Sequence, residues 1–182
     1  MYGITPDLGA FGKAMANGYA ISALTGKNEI MSRFSPEGDV FMSGTFMGHL
    51  HGVTAALETI DILRDGKVHK ELWRKGNRMA EEINKTIDSL ELNARCNSFG
   101  SIWNLYFTRE VNNFRDIIHM TKEGKGYPAD MAFRHALLNA GIFVQPNYTN
   151  RAFISAAHSD EDIDRTIDVT QEFLKEHQED LR

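Results

Sequence analysis

Cysteine is almost missing from this sequence: Cys96 stands alone among 182 residues. That excludes an internal disulfide and a zinc site built on thiolates. Long apolar runs are missing too, since no stretch approaches the roughly 20 residues that a membrane-spanning helix needs. The N-terminal string MYGITPDLGAFGK carries neither a basic n-region nor an apolar h-region. There is no surplus of positive charge. Lys and Arg number 20 against 25 Asp and Glu, the net charge is −5, and no basic run makes a local patch. Nucleic acid is therefore not an expected partner. Internal repeats and low-complexity segments are absent. What is present, 42% hydrophobic and 25% charged residues, is the balance of a folded soluble protein, expected in the cytoplasm and without membrane contact.

Residues 1–47 are punctuated by glycines. Two short apolar runs, AISALTG (20–26) and VFMSGTF (40–46), read as buried strands. A brief helix over 28–34, with Asn28 as N-cap, is expected between them. A first long helix follows over 48–64, with Leu50, Val53, Leu57, Ile60 and Leu63 on one apolar face, stopped by Asp65-Gly66. A second runs over 67–90 with a stripe of Val68, Leu72, Met79, Ile83, Ile87 and Leu90, interrupted at Gly76.

The pattern then turns to strands. In SIWNLYF (101–107) the side chains alternate with period two. Residues 109–127 read as a loop. Pro128 opens a helix that Gly141 caps, and IFVQP and RAFISAA read as two more short strands. Ser159 begins the last helix, with Asp160, Glu161 and Asp162 in its first turn and Ile163, Ile167, Thr170 and Leu174 facing inward. These patterns predict an α/β chain in two parts. Residues 67–182 read as a compact α+β domain, whereas residues 1–66 offer too few strands to close a sheet of their own.

The chemistry is expected near Lys13, in DLGAFGKAMANGY. Apolar neighbours and glycines around a lysine can desolvate its amine partly and let a flat ligand approach the backbone. On residue type alone the same string also suits an ordinary surface lysine. Farther on, SGTFMGH (43–49) offers the backbone of Gly44 and the hydroxyl of Thr45 just before a helix N-terminus, a setting that favours an anion. Thr45 could equally be satisfied by its own backbone. His49 and His51 form an H-x-H pair with no third ligand at metal-like spacing, so no metal site is expected. Arg151 could hold a substrate carboxylate or be a solvated loop arginine.

Taken together, YGITPDLGAFGKAMANGYAISALTGKNEIM, SGTFMGH, FGSIWNLYFT and GIFVQP…NRAFISAAHSDEDIDRTID resemble the class III aminotransferase family. They resemble most its glutamate-1-semialdehyde aminomutase group and the sugar-aminotransferase relatives. The family's proline after the lysine turn is replaced here by Ala20. The resemblance implies the C-terminal portion of a fold-type I pyridoxal-phosphate enzyme. Residues 1–66 would be the remnant of the large cofactor domain and 67–182 the C-terminal small domain. It implies Lys13 as the residue that forms the internal aldimine with pyridoxal 5'-phosphate. It implies that Gly44 and Thr45 reach the cofactor phosphate of the neighbouring subunit in a homodimer whose sites are shared across the interface. The substrate would be a small amine, an amino acid or an amino sugar, and the reaction either transamination or migration of the amino group within one molecule. The family places its phosphate loop, stacking aromatic and pyridinium-pairing Asp ahead of the present Met1, and none has a counterpart here. A non-catalytic folding or dimerisation module is the competing reading, and a metal-dependent hydrolase using the His pair is a third.

Overall fold

The computed structural model describes residues 3–109, 111–113, 115–117, 127–145 and 151–182. The chain divides into two compact units, Met1–Gly66 and Lys67–Arg182.

In the first unit, β1 (Leu8–Phe11) and β2 (Ala23–Gly26) pair antiparallel, with Leu8 opposite Gly26 and Phe11 opposite Ala23. Between them a 3-10 turn spans Lys13–Ala16 and ends on Asn17 in the left-handed region, φ 45°. Asn tolerates that region because its short polar side chain can bond locally. A short helix α1 (Asn28–Met31) follows, with Lys27 as its N-cap. Asn28 is thus the first helical residue rather than the cap. The strand expected at 40–46 does not form: Val40 makes one isolated parallel bridge to Phe34, and the chain then runs through turns. A strand needs a run of backbone partners on a neighbouring strand, and over 40–46 only Val40 has such a partner among the described residues.

Helix α2 (Leu50–Leu63) packs on the 3-10 turn. Its buried residues are Gly52 and Ala56, not the larger residues of the expected face: Leu50 is 73% exposed and Leu57 63%. Gly52 is needed for the close approach, since a Cβ there would lie 3.0 Å from the Ala20 carbonyl oxygen and 3.3 Å from Ile21 Cβ. Ala16 and Ala56 are the only buried hydrophobic side chains of this unit among the described residues.

The second unit holds the main core. Helix α3 (Lys67–Ser89) contributes Met79, Ile83 and Ile87 from its apolar stripe. The gap in that stripe has a steric cause. The β-hairpin of β3 (Arg95–Phe99) and β4 (Ile102–Tyr106) turns at Gly100, φ 60°, and a Cβ on Gly76 would run into the Gly100 carbonyl. Asn84 docks the hairpin edge on the helix by donating to the Cys96 carbonyl at 2.8 Å and accepting the Cys96 N–H at 2.9 Å.

Strand β5 (Ala152–Phe153) lies on the other side of β4, giving the order β3-β4-β5. It is shorter than the RAFISAA run, and the described part of IFVQP, 142–145, is not a strand. Pro146 lies outside the described residues, as does most of the stretch 109–127 expected to be a loop, of which residues 115–117 are helical.

Helix α4 (Tyr127–Asn139) and helix α5 (Asp160–Glu176) complete the unit. Behind α4, Gly141 takes φ 80°, its N–H bonds the Leu138 carbonyl and the Ile142 N–H bonds the Leu137 carbonyl. This is a Schellman stop. Ser159 caps α5 through a capping box with Asp162. The four inward residues expected on α5 are all buried. The core closes on Phe107, Phe133 and Phe173, whose ring centroids lie 5.4–6.1 Å apart. Burial of each such ring contributes about 1.5–3 kcal/mol.

Candidate functional site

Lys13 opens the 3-10 turn with φ 51°, an unusual value for a residue with a side chain. Such strain persists only where the surroundings impose it. Here the extended Gly12 leads in (φ −170°), and Ala16 at the other end of the turn is fully buried beneath α2. The Lys13 side chain is exposed, and no partner for its amine is found among the described residues. The expected desolvation is therefore not built by its sequence neighbours, because Ala10 and Phe11 are themselves exposed. A neighbour in sequence excludes water only if it folds back over the lysine.

Gly44 and Thr45 lie where two tight turns lead into α2. The Met47 N–H donates to the Gly44 carbonyl at 3.0 Å and the His49 N–H to the Phe46 carbonyl at 3.1 Å. Gly48, at φ 67°, makes the bend, so the helix starts at Leu50, two residues later than the pattern suggests. A Cβ on Gly44 would meet nothing within 4 Å. Together with Ala10, Val53 and the approach to β2 over 20–24, Gly44 and Thr45 line an open cleft of about 910 Å³. The Thr45 hydroxyl has no protein partner among the described residues, so it is available to a ligand. Lys13 is not among the residues that line this cleft. One unit thus presents a free amine and a free hydroxyl at different places.

The second unit has polar features that sequence reasoning missed. Asp130 and Arg134 form a buried bidentate pair, Nε–Oδ2 2.7 Å and Nη2–Oδ1 3.1 Å, and Arg134 also donates to the Gln145 carbonyl at 2.7 Å. Burial pushes the Asp130 carboxyl up, against the opposing pull of Arg134. The i, i+4 spacing on one helix was the available signal. Lys75, also buried, donates to the His158 carbonyl at 2.6 Å. Burial pushes the Cys96 thiol up to about 12, which suits an inert core residue rather than a nucleophile. Among the described residues no group of three His, Cys, Asp or Glu could hold a metal ion, and no helix is long and apolar enough to cross a membrane.

Residues 1–174 match the model of the family described as aminotransferase class-III. A glutamate-1-semialdehyde 2,1-aminomutase of Methanothermobacter thermautotrophicus is 36% identical over 174 residues, which is 95% of this chain and 40% of that protein. Among solved structures, the FumI protein of Sphingopyxis sp. MTA144 in its PLP internal aldimine form is 27% identical. It has a TM-score of 0.75, with 99% of this chain and 40% of that one covered. A β-phenylalanine aminotransferase from Variovorax paradoxus superposes with a TM-score of 0.83 at 23% identity, covering 96% and 40%. The chain spans about 40% of the length of the relatives it matches. Its fold is part of the fold-type I transaminase fold, and the chain belongs to the class III aminotransferase family.

Proposed function

We propose that this chain serves pyridoxal-phosphate-dependent amino-group transfer, with Lys13 as the residue that carries the cofactor. The observation that supports this most directly is a free, exposed lysine amine on a strained turn, inside the family's match. Bound pyridoxal phosphate would supply an electron sink for the substrate α-carbon. The chain's own part is to hold the cofactor through the Lys13 amine and then move a proton with that same amine. Gly44 and Thr45 would supply a backbone N–H and a hydroxyl to a phosphate, and their open cleft leaves room for one. Because Lys13 does not line that cleft, the two features are read as serving different copies of the site, Thr45 reaching the partner's cofactor in a homodimer. The substrate would be a small amine, an amino acid or an amino sugar. Transfer between two molecules and migration within one both fit. A lone, buried thiol accords with a cytoplasmic setting. Residues 1–66 are read as part of the cofactor domain and 67–182 as the small domain.

The test is to incubate the chain with pyridoxal phosphate, reduce with borohydride and map the modified lysine by peptide mass spectrometry. Selective labelling of Lys13 is the expected result. Labelling spread over surface lysines, or none, overturns the assignment for this chain.

A second reading rests on one observation, the exposure of Phe41, Leu50 and Leu57 on the first unit. On that reading the chain is a non-catalytic module for folding or dimerisation. Sedimentation then detects a dimer whose stability is indifferent to pyridoxal phosphate.

A further inference from the structure

Three residues in the left-handed region lie close together around the lysine turn: Lys13 at φ 51°, Asn17 at φ 45° and Gly18 at φ 106°. Glycine enters that region freely and asparagine tolerates it, whereas lysine does so against a steric preference. Backbone bonds tie the segment into one piece. The Met15 N–H donates to the Gly12 carbonyl at 3.1 Å, the Asn17 N–H to the Ala14 carbonyl at 3.3 Å and the Tyr19 N–H to the Ala16 carbonyl at 3.1 Å. What fixes the far end of such a piece therefore also fixes Lys13.

That far end is gripped by α2. Ala16 is fully buried, and a Cβ on Gly52 would stand 3.0 Å from the Ala20 carbonyl oxygen and 3.3 Å from Ile21 Cβ. Ala56, one helical turn farther along α2, is buried too. Nothing in the helix itself asks for glycine at 52. Its backbone is not in the left-handed region, and glycine inside a helix weakens it. The close approach to 20–21 is what the missing side chain serves. We propose that Gly52 is a positioning residue for Lys13: it lets α2 seat directly on residues 16–21, which holds the lysine in its strained conformation and aims the amine. The proposal rests on the reading of Lys13 as the lysine that carries the cofactor.

Gly52→Ala separates positioning from stability, because alanine is the better helix former while its Cβ crowds Ala20. The purified chain is read in two ways. The NMR scalar coupling between the Lys13 amide and α protons reports φ with no cofactor present. The rate at which pyridoxal phosphate and borohydride label Lys13 reports the amine. The expected result is a changed Lys13 coupling, with α2 as well protected from hydrogen exchange as before. Labelling of Lys13 should slow by roughly tenfold, since misplacing a reacting group by about 1 Å can cost about a hundredfold. Thr54→Ala, on the exposed side of the same helix, also improves helix propensity and should leave both readings unchanged. If Gly52→Ala loosens α2 instead, Ala56→Gly, which opens the contact from the helix side, is judged by the same two readings. An unchanged coupling or an unchanged labelling rate, or equal changes in Thr54→Ala, overturns the proposal. Absence of selective label on Lys13 in the unaltered chain overturns the reading of the lysine itself, and the proposal falls with it.

Discussion

Lys13 is exposed and touches no partner among the described residues, so its removal should leave the folded chain intact. Lys13→Ala is expected to shift unfolding by no more than about 0.5 kcal/mol, because alanine also carries a Cβ and bears the same backbone strain at φ 51°. The same variant should lose the borohydride-trapped label and any turnover. Unchanged activity in that variant would sink the role proposed for the lysine. Arg134 is the opposite case. Its guanidinium is 5% exposed and is gripped by Asp130, and removing one partner of a buried pair leaves the other charge uncompensated. Arg134→Met should therefore cost about 3–5 kcal/mol in urea unfolding. A loss below about 1 kcal/mol would mean that water replaces the guanidinium without penalty.

At the scale of elements, the ends of the helices carry the testable chemistry. Helix α3 stops through a Schellman arrangement in which the Leu92 N–H bonds the Ile87 carbonyl and the Glu91 N–H bonds the Asp88 carbonyl. The residue in the left-handed region there is Glu91, φ 56°, where glycine is the usual choice. Glu91→Gly is expected to stabilise the chain by up to about 1 kcal/mol, read as a higher urea midpoint. A lower midpoint would refute the strain argument.

At the start of α5 the Ser159 backbone N–H, with help from the Ser159 hydroxyl, holds the Asp162 carboxyl below its usual 3.8. A carboxyl with a depressed folded pKa contributes stability above its unfolded value and loses it as pH falls through the folded one. Stability that depends on this cap should thus be constant above 3.8 and fall below it. Asp162→Asn should flatten that part of the pH profile, and an unchanged acid limb would show that the cap does not titrate. Ser159→Ala tests the same cap at neutral pH, with an expected cost of about 1 kcal/mol.

At the scale of the whole molecule, the two units differ in what holds them. Lys67–Arg182 closes on a continuous apolar core from Met79 to Leu181, whereas Met1–Gly66 buries Ala16 and Ala56 and leaves Phe41, Leu50, Leu57 and Ile62 exposed. Local opening free energy follows buried apolar contact. Hydrogen exchange should accordingly be fast in the first unit and slowest in α3, β4 and α5. Equal protection across both units would contradict this account of the core.

What the sequence determined by itself is what local periodicity and capping encode. The stripes of α3 and α5, the Ser159 cap and the Gly141 stop each act within a few residues, so pattern and structure agree there. The string around Lys13 likewise carried the family, because its motifs are contiguous. Periodicity marks an apolar face without saying what covers it, and so α2 looked like a core helix although its large side chains stay exposed and its contact runs through Gly52 and Ala56. Strand β1 was illegible for a related reason: its partner β2 lies beyond an intervening turn, and only the fold brings the two backbones together. Tertiary structure alone decided that Lys13 is exposed, that Thr45 opens onto a cleft without it, and that Asp130 and Arg134 are buried as a pair. Each of these depends on packing between segments far apart in the chain, and that packing leaves no local mark on residue order.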